Sequence, residues 1–260
     1  MPARFEVLAQ VRRGVSDLEE FTVEKGRLLY EGKAKQLFAT EDENILYVSY
    51  KDSATAFNGE KKEEIVGKGN LNNKITTILF EQLKKHGIDS HFVEQISENE
   101  QLVRKVDIIL LEVVVRNVAA GSLSNRLGIE EGTPLKHPIV EFYYKDDALG
   151  DPLLTDAHLE LLELATPEEL KTIKEKALEI NQVLQPIFKE IGVTLIDMKL
   201  EFGRAANGEI LLADEISPDT CRLWDDETNN KLDKDVFRRN LGSLTDVYEI
   251  ILSRLGGLSK

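Results

Sequence analysis

The chain has 260 residues, 42% of them hydrophobic and 31% charged, with a net charge of −14. That composition describes a globular protein with a real core and excludes a disordered chain. The negative charge disfavours non-specific binding to nucleic acid or to anionic membranes, both of which need a positive field, but it leaves anionic small molecules open if Lys and Arg cluster locally.

Residues 1–27 are mixed in charge and are expected to form an extension with at most one short amphipathic helix. From Leu28 the pattern changes to strands, LLYEG, KQLFAT and ILYVSY, punctuated by Gly32 and by the Asp42–Asn44 turn. A glycine-rich patch, FNGEKKEEIVGKGNLNN, leads into a helix whose Leu71, Ile75, Ile78, Leu79 and Leu83 keep the helical period up to Gly87. HFVEQI, QLVRKV and IILLEVVV read as strands, RNVAAGSLSNRLG as a loop and short helix, and PIVEFYY as a strand. The apolar run near Ile108–Val115 is broken by Glu112 and is too short to span a bilayer. Thr155-Asp156 opens a helix, and Thr166-Pro167-Glu168-Glu169 is a capping box opening a longer one to about Gly192, with a kink expected at Pro186. A last helix is expected over Leu244–Leu255. Cys221 is the single cysteine, so no internal disulfide is possible, and no charged leader with an apolar core opens the chain; a cytoplasmic location is expected.

The segment LIDMKLEFGRAANGEILLADEISPD reads as a hairpin, because Asn207-Gly208 tolerates the positive φ of a two-residue turn. That turn sets Glu201 directly opposite Asp214, with Cβ atoms roughly 4.5–5.5 Å apart, where like charges repel. Either a divalent cation bridges the two carboxylates, with Lys199 and Asp197 on the same face, or the turn is longer, the register shifts and both acids are solvated. In YEGKAKQLF, Lys33 and Lys35 share one side of a strand after a glycine, as in a nucleotide lid or in a plain exposed hairpin; no Walker A loop is present. RNVAAGS puts Arg116 and Ser122 at a strand-to-helix junction, either an anion site suited to phosphate or a simple connection capped by Ser122. In SPDTCRLWD, Arg222 either grips a ligand anion or pairs with Asp225 or Asp226, and Asp219 is a candidate to orient or deprotonate an amine. Lys145 ends a strand beside three aspartates, as a phosphate-reaching lysine or as part of a charged turn. The four histidines show no metal spacing and are expected at the surface or in caps, and Cys221 as a packing residue.

YEGKAK, GKGNLNN, EVVVRNVAAGS, EFYYKDDALGDP, LIDMKLEFG, DEISPDTCRLWD and DKDVFRRNLG occur together and in order from Leu28 onward. In these the chain resembles the SAICAR synthetase (phosphoribosylaminoimidazole-succinocarboxamide synthase) family, with Leu110 where the family usually carries a proline and nothing comparable in the first 27 residues. The resemblance implies an ATP-dependent ligase of purine biosynthesis that joins carboxyaminoimidazole ribonucleotide to L-aspartate, releasing ADP and phosphate. It implies a two-lobed α+β ATP-binding fold related to kinases and ATP-grasp enzymes. A strand-rich nucleotide-lid lobe is expected at 28–115, and an α+β lobe with the metal and substrate site at 116–260. Carried over by position, Lys33, Ala34 and Lys35 form the nucleotide lid, Glu201 and Asp214 hold Mg²⁺, and Arg116, Ser122 and Arg222 bind the ribonucleotide. Lys199, Lys145 and Asp219 lie near the reacting groups, and a homo-oligomer is expected by analogy. A small-molecule kinase using the same cleft, and a non-catalytic nucleotide-binding protein, are the alternatives; aspartate-dependent release of ADP separates them from the ligase.

Overall fold

A computed structural model describes residues 23–56 and 59–258. The short helix expected within residues 1–27 falls outside the described residues; 23–27 themselves carry no regular structure. The first sheet is antiparallel, in the order β1 (Leu28–Glu31), β2 (Lys35–Ala39), β3 (Ile45–Tyr50), β7 (Glu100–Arg104), β6 (Phe92–Gln95). A separate ribbon, β4 (Ser53–Ala56) with β5 (Lys61–Glu64), takes up part of the patch that reads as glycine-rich loop. Helix α1 (Lys68–Lys85) buries Leu71, Ile75, Leu79 and Leu83 at the expected spacing.

The second sheet runs β10 (Leu153–Leu154), β9 (Pro134–Tyr144), β8 (Asp107–Val118), β11 (Val193–Arg204), β12 (Ile210–Ala213), with β13 (Cys221–Asp225) also pairing with β11. Strand β8 is continuous across the boundary expected between 115 and 116. Arg116 and Val118 stay on the same ladder as the apolar run, paired with Ile139 and Pro134 of β9, and the first sheet ends at Arg104. β11 lies at the centre, bordered by β8, β12 and β13, so its side chains are buried almost throughout. Helix α4 (Pro167–Glu190) covers this sheet with Ile173, Ala177, Ile180, Leu184 and Phe188, and it continues as helix through Pro186. Both of its capping-box bonds form. The shorter helices are α2 (Gly121–Leu127), α3 (Asp156–Leu162) and α5 (Asp235–Arg238). Helix α6 (Leu244–Gly256) packs on α1 and closes the core with Tyr248, Ile251 and Leu255. Among the described residues, no helix is long and apolar enough to cross a membrane.

The β11–β12 register differs from expectation. Arg204 pairs with Ile210 and Glu201 with Ala213, not with Asp214. The Ala205 amide donates to Glu209 O at 2.9 Å and the Gly208 amide to Ala205 O at 2.8 Å, so Ala206, Asn207 and Gly208 together make a turn one residue longer than the two-residue form. The physical reason is that one left-handed residue, Gly208 at φ 80°, suffices when a bulge-type turn precedes it, and Asn207 need not adopt positive φ. Strict alternation would then send Asp214 to the far face. Instead the strand stops at Ala213, and Asp214 takes a left-handed conformation, φ 58°. That turn of the backbone brings its carboxylate back to the side where Lys35 meets it.

Candidate functional site

The side chains of β11 at Asp197, Lys199 and Glu201 share one face. Asp197, 4% exposed, sits opposite Arg116 on β8 and opposite Arg222 on β13. Its Oδ2 accepts from Arg116 Nη1 at 2.9 Å and from Arg222 Nη1 at 3.0 Å. The remaining donors of Arg116 go to Glu141 Oε2 (2.7 Å), Ser122 Oγ (3.0 Å) and the Tyr143 hydroxyl (3.1 Å), and Arg222 Nε donates to Asp235 Oδ2 at 3.0 Å. Burial, the largest single effect, would lower both guanidinium pKa values, but the acids around them together outweigh it and raise them, Asp197 and Glu141 for Arg116 and Asp197 and Asp235 for Arg222. Gly121 opens α2 at φ 54°, and a Cβ there would lie 2.5 Å from Arg222 Nη2; the glycine lets the guanidinium cross the start of that helix. Ser122 is a residue inside α2, and Ala120 is the N-cap. Arg222 pairs with neither Asp225 nor Asp226; Asp225 is taken by Arg254, and Asp226 by Lys189.

Two residue pairs along β11 the cations change to lysine. Glu201 Oε1 accepts from Lys199 Nζ and from Lys145 Nζ, both at 2.8 Å, and Lys199 also reaches Glu112 at 2.9 Å. Lys35 of the expected lid donates to Asp214 Oδ1 and lies 3.5 Å from Glu215. Lys199 and Lys145 act electrostatically on both Glu201 and Asp214, so the two acids face one shared cluster. Burial would raise the Asp214 carboxyl, but Lys35, Lys199 and Lys145 hold it well below the usual carboxylate range. Burial would likewise lower Lys199, yet Glu201, Glu112 and Asp214 keep it protonated well above the ordinary lysine range. The positive charge that opposed carboxylates require is thus supplied by lysines of the chain. Glu201 Oε2 and Asp214 Oδ2 accept no hydrogen bond among the described residues, which leaves each acid one oxygen able to face a ligand or cation.

Lys33 donates to Asp147 Oδ1 at 2.6 Å, and the Ala34 carbonyl accepts from the Lys51 amide at 2.8 Å, so the turn between β1 and β2 is tied both to β3 and to the second sheet's outer loop. Asp219 accepts from the fully buried Lys68 at 2.5 Å and from the Tyr248 hydroxyl, with Lys234 at 3.7 Å. Burial would raise its pKa, but Lys234 and Lys68 hold it well below the usual range, which makes it a poor proton acceptor. A cavity of about 300 Å³ runs from the arginine pair to Lys199 and Asp219, lined among others by Lys33, Arg116, Arg222 and Lys234; Lys35, Lys145, Glu201 and Asp214 lie outside its lining.

Several residues of this site lie inside the motifs quoted above, yet the sequence does not single them out as site residues. Lys68 sits in the first turn of α1, where a cation opposes the helix dipole, and that misplacement is the one hint of a buried tertiary partner. Glu141 and Tyr143 lie in EFYYKDDALGDP, and Lys234, Asp235 and Arg238 in DKDVFRRNLG, but nothing local distinguishes these side chains from surface residues of the same segments. His91 corrects the expectation for histidines: it is 7% exposed, and burial pushes its ring down to about 3, so it is neutral. His86 and His158 do act in helix caps. Cys221 is a packing residue, its thiol pushed well up by burial.

Known proteins resemble the chain over most of its length. A sequence profile of the family described as SAICAR synthetase matches residues 28–255. A phosphoribosylaminoimidazole-succinocarboxamide synthase of Lysinibacillus sphaericus (strain C3-41) is 71% identical over 233 residues, covering 90% of this chain and 99% of the relative. The solved structure of a phosphoribosylaminoimidazole-succinocarboxamide synthase from Ehrlichia chaffeensis superposes with a TM-score of 0.87 at 46% identity, covering 88% of this chain and 98% of the other. A SAICAR synthetase (Type-2) in complex with ADP superposes with a TM-score of 0.86 at 48% identity, covering 89% and 98%.

Proposed function

Since the chain belongs to the SAICAR synthetase family, we propose that its charged cavity is where carboxyaminoimidazole ribonucleotide, L-aspartate and ATP meet. The activity that goes with membership is ATP-dependent carbon–nitrogen ligation in purine biosynthesis, yielding the succinocarboxamide, ADP and phosphate. The observation that carries the assignment of the site is the split along β11, with an arginine pair on Asp197 and a lysine cluster on Glu201. Four residues of strand separate the two acids by roughly 13 Å, enough to seat a ribose and an imidazole between a monophosphate and a reacting carboxylate. Arg116, Arg222 and Ser122 take the ribonucleotide phosphate, for which planar forks held in place suit best. Lys33, Ala34 and Lys35 cover the nucleotide, and Lys35, Lys145 and Lys199 exchange their carboxylate partners for phosphate oxygens.

The donor set at Glu201 and Asp214 fits Mg²⁺. Both are hard carboxylate oxygens, and no group of three or more His, Cys, Asp or Glu side chains able to hold a metal occurs among the described residues, so a cation here takes its other ligands from water and phosphate, as Mg²⁺ prefers. Bound there, Mg²⁺ would neutralise phosphate oxygens of the nucleotide. Amide formation from a carboxylate needs a better leaving group than hydroxide, and phosphorylation to an acyl phosphate provides one. Lys199 and Lys145 spread the charge of phosphoryl transfer by position and electrostatics. The aspartate amine then attacks the acyl carbon and phosphate leaves. Asp219, already saturated by Lys68 and Tyr248, orients the amine and does not take its proton, which passes to water or a phosphate oxygen. The enzyme works in the cytoplasm as a homo-oligomer.

A coupled ADP-release assay with carboxyaminoimidazole ribonucleotide, run with and without aspartate, tests the reading. Release that requires aspartate is expected. Equal release without it means a kinase, and binding without release means a silent nucleotide binder.

A further inference from the structure

Asp214 holds a backbone conformation that non-glycine residues rarely adopt, φ 58°, at the point where β12 ends. A residue there stays left-handed only if its surroundings over-determine it. Its carbonyl oxygen meets one side-chain donor, His91 Nε2, at 3.1 Å. A carbonyl can only accept, so that nitrogen carries the hydrogen. His91 itself is fixed from three directions. Its amide donates to Leu212 O at 2.8 Å, its carbonyl accepts from the Arg104 amide at 2.6 Å, and its ring stands edge-on to Phe80 with centroids 5.8 Å apart at 89°. The preceding residue, Ser90, bridges to Leu212 in parallel fashion. The segment just before β6 of the first sheet is thereby attached to the last residues of β12 in the second. The carboxylate of Asp214 is at the same time the partner of Lys35, which comes from the expected lid.

From this we infer that His91 is a positioning residue of the ligase: by holding the Asp214 carbonyl, it fixes the left-handed turn that presents the Asp214 carboxylate to Lys35 and to a nucleotide-bound divalent cation. The inference rests on the reading of Asp214 as a Mg²⁺ residue given above. Three elements converge on one residue, the lid through Lys35, the first sheet through His91 and the second through β12, so the angle of the carboxylate is set by contacts between lobes and not by β12 alone. The ring acts through its N–H and its shape, with no change of protonation.

The test measures ADP affinity by calorimetry, with and without Mg²⁺, for the full chain, His91→Phe, His91→Gln and Asp214→Ala, together with ribonucleotide affinity and crystal structures of the two His91 variants. Phenylalanine keeps the ring and the edge-on packing but cannot donate, whereas glutamine can still donate. His91→Phe should lose about tenfold of the Mg²⁺-dependent gain in ADP affinity, His91→Gln should stay within about threefold of the parent, and ribonucleotide affinity should not change. In the His91→Phe structure Asp214 should leave the left-handed region. A full Mg²⁺-dependent gain in His91→Phe when Asp214→Ala has lost it overturns the inference, and so does equal loss in the Phe and Gln variants, which would mean that packing alone matters. Should Asp214→Ala itself retain the gain, the Mg²⁺ assignment of Asp214 fails, and the structures decide on His91: an Asp214 that has left its conformation in the Phe variant supports the positioning role, and one that has kept it refutes it.

Discussion

The two ends of β11 solve the same problem, charge buried in a sheet, with different cations. At Asp197 the partners are arginines. Arg116 is 3% exposed, and its guanidinium donates to four different side chains at once, a geometry that cannot relax without stranding donors. At Glu201 the partners are lysines whose side chains keep 29% and 34% exposure, compact charges on flexible stems that can leave one acceptor for another. The arginine end is built to hold a shape and the lysine end to exchange partners. That difference suits a site where one substrate phosphate is only bound while another is transferred.

The comparison can be broken by removing its acids. Asp197→Ala removes the shared acceptor of buried Arg116 and half-buried Arg222, leaving them Glu141 and Asp235, and should lower unfolding stability by about 2–3 kcal/mol, read from urea midpoints, with activity lost alongside. Glu201→Gln should instead keep its stability, because Lys145 and Lys199 can turn to water or to Glu112, while kcat falls by roughly 10²–10³-fold at any Mg²⁺ concentration. If both variants unfolded equally easily, or if Glu201→Gln turned over normally at saturating Mg²⁺, the two ends would not differ as described. Lys35→Met, which removes one charge-assisted contact to phosphate, should raise KM for ATP about tenfold and leave KM for the ribonucleotide unchanged in steady-state kinetics; a rise in both would mean that the lid acts on the whole cavity. The smallest effect lies outside both clusters, where Arg204 at the far end of β11 pairs with Glu169 of α4. The Arg204 hydrogen bond, then the Thr166 amide, hold the Glu169 carboxyl down to about 2. A depressed carboxylate contributes stability above its ordinary range of about 4.5 and loses it as pH falls toward 2. Since Glu169 is partly exposed and solvent screens the pair, Glu169→Gln should cost only about 1 kcal/mol at pH 7, and the difference from the parent should vanish near pH 2 in acid-unfolding curves.

The helices and most strands are legible in the sequence because their signals are local. The capping box at Thr166 and the spacing of Leu71, Ile75, Leu79 and Leu83 each refer to residues within a turn or two. The ribbon of β4 and β5, strand β13 and short helix α5 are not legible, since CRLWD and DVFR are stabilised by neighbours distant in sequence. The site is half legible. Lys199 and Glu201 share a face by alternation alone, but Asp214 reaches them only because a longer turn and a left-handed backbone cancel each other's displacement. Lys68, Glu141, Tyr143 and Asp235 belong to the buried charge network through contacts that span up to 151 positions of chain, which no local pattern encodes.

By itself the sequence determined the α+β class, the family, and which types of charge the site would contain, because periodicity, turn chemistry and ordered motifs are properties of nearby residues. Only the tertiary structure decided which acid meets which cation. Asp197 rather than Asp225 or Asp226 holds Arg222, lysines of the chain neutralise Glu201 and Asp214, and a buried histidine from the first sheet grips the backbone of the second. Those pairings depend on strand register and on one left-handed residue, and a one-residue change in either moves a carboxylate to the other side of the sheet.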